Sequence, residues 1–289
     1  MQDNVLNVPD GTNRSEVSLN FKILYYPFMG TAVNTENLLL MAKLCYKAMG
    51  VDELYNMVNN EHTDGKSESE NTAKFIRNLI TSGHWGALEH WYTSFAVEGY
   101  SRISSQQNDR HRLMKMFKDV GMSCYEWAND ADSGSPDTSQ LQQSQRYVKE
   151  DGFNYIVPES IKNNPEMLER YRALQNEIRD FQKDGYEKGL PTEDVRFALS
   201  NATETRFVIT TNARQLRHMF NLRCCERSQW EIRNLFNGLL AEYKKIAPNI
   251  FWKAGASCAE LGYCPEGSHS CGKAPTLKQL MESYKQNNK

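Results

Sequence analysis

The stretch Trp91-Tyr92-Thr93-Ser94-Phe95-Ala96-Val97-Glu98-Gly99 runs on through Tyr100 into Ser101-Arg102-Ile103-Ser104-Ser105-Gln106-Gln107-Asn108-Asp109-Arg110-His111-Arg112, and its period changes on the way. Trp91, Thr93, Phe95 and Val97 occupy every second position, the pattern of a strand with one buried face. From Ser101 the alternation stops. Arg102, Gln106 and Arg110 then fall four apart on one face of a predicted helix, with Gln107 and His111 in the neighbouring row. Arg grips phosphates and carboxylates as a fixed fork, and His donates or accepts near neutral pH. Such a face suits a phosphate joined to a heteroaromatic base. Taken alone, it reads better as a solvated helix surface with ion pairs.

Working upstream, Val17, Leu19, Phe21, Ile23 and Tyr25 alternate with Ser18, Asn20, Lys22 and Leu24, predicting another strand. Asn34 is placed to cap a helix carrying Leu38, Met41, Leu44, Cys45 and Ala48. The polar run from Asn59 to Glu70 reads as a loop or helix end. A second helix should hold Ala73, Ile76, Leu79 and Ile80 and stop at Gly83. Downstream, Pro165 to Gln182 predicts a helix with Met167, Leu168, Tyr171, Leu174, Ile178 and Phe181 on one stripe. Pro191 opens another. Arg206 to Thr211 is rich in strand formers, and helices follow over 212–223 and 227–246. The second of these shows Ile232, Leu235, Phe236, Leu239, Leu240 and Tyr243 on one face. Trp230 reads as core, with Glu231 and Arg233 exposed. The expected fold class is α+β in a single domain, residues 16–250. It is preceded by a flexible tail, 1–15, and followed by a Cys-containing tail, 251–289.

Composition narrows the function. The 289 residues are 39 % hydrophobic and 24 % charged, with a net charge of −2. A nucleic-acid partner is not expected without a basic excess. No apolar run approaches the roughly 20 residues of a membrane span, and the N-terminus lacks a basic-then-apolar signal pattern. Seven cysteines, an odd number in a long chain, argue against a disulfide framework and for the cytoplasm.

Other constellations are weaker alone. In Thr211-Asn212-Ala213-Arg214-Gln215-Leu216-Arg217-His218, Asn212 can cap a helix, and Arg214 and His218 share a face whose N-terminal amides favour anions. Gly83-His84-Trp85-Gly86-Ala87-Leu88-Glu89-His90 offers two His and a Glu, but not at a standard metal spacing. Glu89 reads better as an acceptor for an Arg or the backbone. Neither GxGxxG, GxxxxGK nor GxSxG occurs. Cys124, Cys224 and Cys225 lack a nucleophile's Cys–His setting. Cys258, Cys264 and Cys271, with His269 nearby, match a zinc inventory, but their spacings fit no zinc motif. They are read as reduced, structural thiols, and no metal is expected.

Six segments in order give the sequence a resemblance to the flavin-dependent thymidylate synthases. These are His84…Leu88-Glu89-His90, then Ser101-Arg102…Gln106-Gln107…Arg110-His111-Arg112, then Ser139…Gln142-Gln143-Ser144-Gln145-Arg146-Tyr147, then Asn201-Ala202-Thr203-Glu204-Thr205-Arg206, then Asn212-Ala213-Arg214…His218…Leu222-Arg223, and Gln229-Trp230-Glu231-Ile232-Arg233. The resemblance implies an antiparallel sheet packed with helices and a homotetramer. It implies conversion of dUMP to dTMP, with FAD as cofactor and NADPH and methylenetetrahydrofolate as co-substrates. By the same resemblance, Gln107, Arg110, Gln142, Gln143, Ser144, Gln145, Arg146, Arg196 and Arg223 hold dUMP, with catalytic roles for Arg223 and Ser144. His84, Arg110, His111, Arg112, Asn212, Arg214 and His218 contact the flavin. Two features depart from the family pattern. An insertion, about 114–137, separates Arg110-His111-Arg112 from Ser139, and Gly86 stands where a Ser or Thr is common. A non-catalytic relative, its substrate loop disrupted by the insertion, is the alternative. The insertion is expected to continue the preceding helix or pack beside it in its first half and to loop into solvent in its second.

Overall fold

The computed structural model describes residues 16–59, 66–108, 138–148 and 152–287, with the backbone alone for 66–69 and 287. Four strands form one sheet: β1 (Asn20–Tyr25), β2 (Tyr92–Ser101), β3 (Thr138–Gln142) and β4 (Glu204–Asn212), in the order β1-β2-β4-β3. The side-chain pairings make it antiparallel. Asn20 meets Glu98 at 2.7 Å while Tyr25 O accepts from Thr93 at 2.7 Å. Ser94 meets Thr210 at 2.8 Å while Gly99 N–H reaches Glu204 at 2.8 Å. Thr138 lies 3.1 Å from Thr211, and Gln143 N–H bonds Arg206 O at 2.8 Å. The longer helices are α1 (Val51–Asn59), α2 (Lys66–Thr81), α3 (Arg102–Asn108), α4 (Pro165–Glu187), α5 (Ala213–Arg223), α6 (Trp230–Ile246) and α7 (Leu277–Asn287). This is the expected α+β class.

Backbone packing divides the described residues into two compact units. One comprises 16–22, 95–108, 140–148 and 152–209; the other comprises 23–59, 66–94, 138–139 and 210–287. In the first, Phe153, Tyr155 and Val157 form a core covered by Leu168, Tyr171 and Ile178 of α4. Asn164 caps that helix through Met167 N–H at 3.2 Å, with Pro165 in its first turn. Only half of the predicted α4 stripe is used: Met167, Leu174 and Phe181 remain exposed. In the second unit, α5 and α6 pack an aromatic core. Phe220 stands edge-on to Phe236 and Phe251, at centroid distances of 6.1 and 5.9 Å, and Trp91 edge-on to Tyr243 at 6.1 Å. All six residues predicted for the buried face of α6 are buried, and Phe251 and Ala254 join the core.

Three local expectations are corrected. Thr35–Cys45 is a 3-10 helix, capped by Asn34 as expected, but its buried apolar residues are Leu39 and Leu40. Winding at three residues per turn, rather than 3.6, turns Leu44 and Cys45 outward. α1 has no counterpart in the sequence reading. Glu231 is buried rather than exposed, at the first turn of α6, where Gln229 Oε1 accepts from Glu231 and Ile232 N–H at 3.0 and 3.1 Å. The insertion and Arg110-His111-Arg112 lie outside the described residues.

Candidate active site

In the first unit, β2 carries Gly99 two residues before its end and leads directly into α3. Gly99 has φ +63°, and a Cβ there would sit 1.8 Å from Ser18 O, so no side chain fits. Arg102 and Ile103 N–H groups then bond Thr203 O and Asn201 O at 2.9 and 3.1 Å, aligning the helix start. The inner face of α3 is polar: Ser104, Ser105 and Asn108 are buried, while Ile103 is about half exposed. Gln142 uses its amide to join this face to the sheet, donating to Ser105 Oγ and Thr205 Oγ1 at 2.9 Å each. Gln107 is half-buried two residues after Ser105.

Beyond β3 the chain turns. Ser144 Oγ accepts Arg146 N–H at 3.2 Å, and Ser144 O accepts Val148 N–H at 3.1 Å. Gln143 Oε1 takes Arg206 at 3.3 Å. Gln145 is half-buried, and Ser144 and Arg146 are exposed. Arg146 pairs with the Glu193 carboxylate at 3.2 Å, and Arg196 Nε donates to Glu193 O at 3.1 Å. Two guanidinium groups expected to hold substrate thus meet at one residue of the short helix Thr192–Val195. The ion pair is solvent-exposed and contributes little to stability, so an incoming anion can displace it. Glu193 was not singled out from sequence; its position three residues before Arg196 was the available signal.

The flavin candidates that are described lie in the second unit. Asn212 caps α5, Oδ1 accepting Gln215 N–H at 2.9 Å, and is fully buried. Arg214 pairs with Glu89, the kind of partner the sequence suggested for that carboxylate. This ties α5 to the 3-10 turn Trp85–His90. His84, exposed just before that turn, bonds and stacks on Tyr46. His218 is half-buried one turn after Arg214, and Arg223 is half-buried at the last turn of α5. Gly86 carries no side chain and is exposed. Sequence reasoning missed Arg217. It is buried, reaches Ile250 O and Trp252 O at 2.7 and 3.1 Å, pairs with Glu260 and covers the Trp85 ring. Burial pushes the Cys224 thiol up to about 12, against the opposing pull of Lys244, so it is no nucleophile at neutral pH.

Residues 31–249 match the family model described as thymidylate synthase complementing protein. The chain belongs to this family. Among its relatives, the flavin-dependent thymidylate synthase of Geobacter sulfurreducens is 39 % identical over 243 residues, 83 % of this chain and 90 % of the relative. That of Clostridium tetani is 37 % identical over 257 residues, 83 % of this chain and 89 % of the relative. A solved UMP/dUMP methylase from Streptomyces cacaoi, bound with 5-Br dUMP, superposes with a TM-score of 0.60. It shares 16 % identity and covers 81 % of this chain and 93 % of its own, a likeness of fold. The family match takes in both clusters of candidate residues and the insertion between them.

Proposed function

We propose that this family member makes dTMP from dUMP by reductive methylation. Methylenetetrahydrofolate is the one-carbon donor, FAD the bound cofactor and NADPH the reductant. The observation that carries the reading is the convergence of Arg146 and Arg196 on Glu193, within a chain matching the family over 31–249. A matched pair of guanidinium groups suits a phosphate, through charge-assisted and bidentate bonds. Gln107, Gln142, Gln143, Ser144 and Gln145 then line the nucleotide. Arg110 joins them, and Arg223 holds the pyrimidine, where its charge offsets an enolate-like oxygen. Ser144 shares the catalytic role assigned to Arg223. Relatives named as enzymes over most of their length favour catalysis over the non-catalytic alternative.

The donor set fits a flavin. Arg214 and the imidazoles of His84 and His218 offer donors for a pyrophosphate and a flat heteroaromatic ring, with Arg110, His111 and Arg112 assigned beside them. Asn212 contributes through the first turn of α5, since its Oδ1 already serves as the cap. When bound, the flavin supplies reducing electrons; the protein supplies position and electrostatics. The assembly is taken as a homotetramer in the cytoplasm, without nucleic-acid partners. Among the described residues, no helix is long and apolar enough to cross a membrane. The domain is taken as 16–250, with 1–15 and 251–289 as its flanking segments.

The test is Arg223→Ala. It removes a charge-assisted contact of about 1.5–3 kcal/mol, so dUMP affinity or turnover falls at least about tenfold while FAD titrates normally. Unchanged dUMP kinetics would overturn the assignment.

A further inference from the structure

α5 holds the 3-10 turn Trp85–His90 at two points. Arg214 pairs with Glu89, and Arg217 covers the Trp85 ring, its guanidinium carbon 5.4 Å from the ring centroid. Residues three apart on a helix are surface neighbours, so both guanidinium groups meet the same turn. The first contact belongs to the candidate flavin cluster. The second is of a different kind. The Arg217 side chain is fully buried, and its hydrogen-bond partners lie in the C-terminal segment, past the end of the family match at residue 249. One terminal nitrogen donates to Ile250 O and Trp252 O at 2.7 and 3.1 Å. The other donates to Glu260, on the short helix Ser257–Leu261. Among the described residues, the Glu260 carboxylate pairs with Arg217 alone.

A charge is costly to bury, and a buried ion pair is often no more stabilising than apolar side chains of similar volume. Packing alone would be served by a Met at this position. Arg adds geometry: a rigid planar fork of donors that also stacks on aromatic faces. Two carbonyls and a carboxylate fix that plane, and the plane in turn holds the indole. Trp85 is half-buried and directly follows His84, which is exposed. Gly83, at φ +74°, and Gly86 bracket the pair. Glycine leaves the chain there more freedom than other residues would, and the Trp85 ring is what Arg217 holds.

We propose that Arg217 is a positioning residue for the flavin. Clamped by Glu260 and by the carbonyls of Ile250 and Trp252, it holds Trp85 and so sets His84 in place for the cofactor. The C-terminal segment thereby contributes to flavin affinity through Glu260, which acts by way of Arg217. This deepens the flavin reading given above and rests on it.

The full-length protein is titrated with FAD, followed by flavin fluorescence, beside denaturant unfolding without FAD. Unaltered protein that takes up no FAD overturns the flavin reading and this proposal with it; the variants test the proposal by itself. Arg217→Met combined with Glu260→Gln removes both charges and leaves neither buried alone. Its FAD dissociation constant should rise at least about tenfold, with the unfolding midpoint little changed. Arg217→Lys, which keeps the charge and loses the fork, should recover only part of the affinity. Trp85→Leu should weaken FAD as the double variant does, and all three changes together should weaken it no further, because they remove one shared contact. An unchanged FAD dissociation constant in the folded double variant overturns the proposal, as does full additivity with Trp85→Leu. Should Arg217→Met fail to fold, Glu260→Gln decides, since that carboxylate is partly exposed. FAD affinity equal to that of the unaltered protein in Glu260→Gln then overturns it.

Discussion

α3 and α5 each begin where a strand of the sheet ends, yet they differ in the apolar surface they bury. α5 turns Leu216, Met219 and Phe220 inward, all fully buried, against the aromatic rings of α6. α3 turns Ser104, Ser105 and Asn108 inward and leaves Ile103 about half exposed. Among the described residues, neither atom of the buried Asn108 amide has a hydrogen-bond partner. Burial of apolar surface stabilises a fold by about 25 cal/mol per Å², whereas an intramolecular hydrogen bond contributes about 1 kcal/mol net. The apolar face of α5 is therefore frame, while Arg214, His218 and Arg223 on the same helix are candidate site groups. α3 forgoes stability to hold a row of donors and acceptors, and departures from the usual pattern of this kind are expected at working sites.

Phe220→Ala puts the contrast between the two helices under the greatest load. The ring is fully buried among Phe236, Phe251 and Tyr243, so its loss should cost about 3–5 kcal/mol, read by denaturant unfolding. Ser105→Ala on the other helix removes a partner of the Gln142 amide, which keeps Thr205. The expected cost is about 1 kcal/mol. The larger change should appear as weaker dUMP binding with FAD uptake intact. Comparable destabilisation by the two substitutions would erase the distinction between frame and site.

The smallest effect concerns Cys224, which follows α5 directly. With its thiol pushed up to about 12, it should resist alkylation at neutral pH, while the exposed Cys45 reacts. Its thiolate should become available only in strongly alkaline solution. Peptide mapping after a short iodoacetamide pulse separates the two. Rapid labelling of Cys224 in the folded protein would show that the end of α5 is open.

How far each helix was legible in the sequence tracks the same division. β2 and the buried stripe of α6 could be read directly, because apolar side chains at a fixed period have one place to go. The α4 stripe is narrower than its periodicity suggests. Periodicity locates an apolar face but does not say how much of it the Phe153–Tyr155–Val157 core covers, and Met167, Leu174 and Phe181 stay outside. Along Thr35–Cys45 the period itself differs from the expected 3.6. Arg217 escaped notice because a charged residue inside a polar motif reads as solvated. Only the fold supplies its carbonyls, Glu260 and the Trp85 ring. The candidate site was visible as an ordered set of polar motifs, but its partnerships were not. Glu193 for Arg146 and Tyr46 for His84 depend on contacts between distant segments.

The functional reading stands or falls on catalysis by a chain whose motif is split by an insertion. Its most direct test is product formation by the purified full-length protein, supplied with FAD, NADPH, methylenetetrahydrofolate and dUMP and followed by chromatography of the nucleotides. The expected product is dTMP, formed only when all four are present. Binding of FAD and dUMP without any dTMP, under conditions where the Geobacter sulfurreducens relative turns over, would contradict catalysis and leave a nucleotide-binding protein in its place.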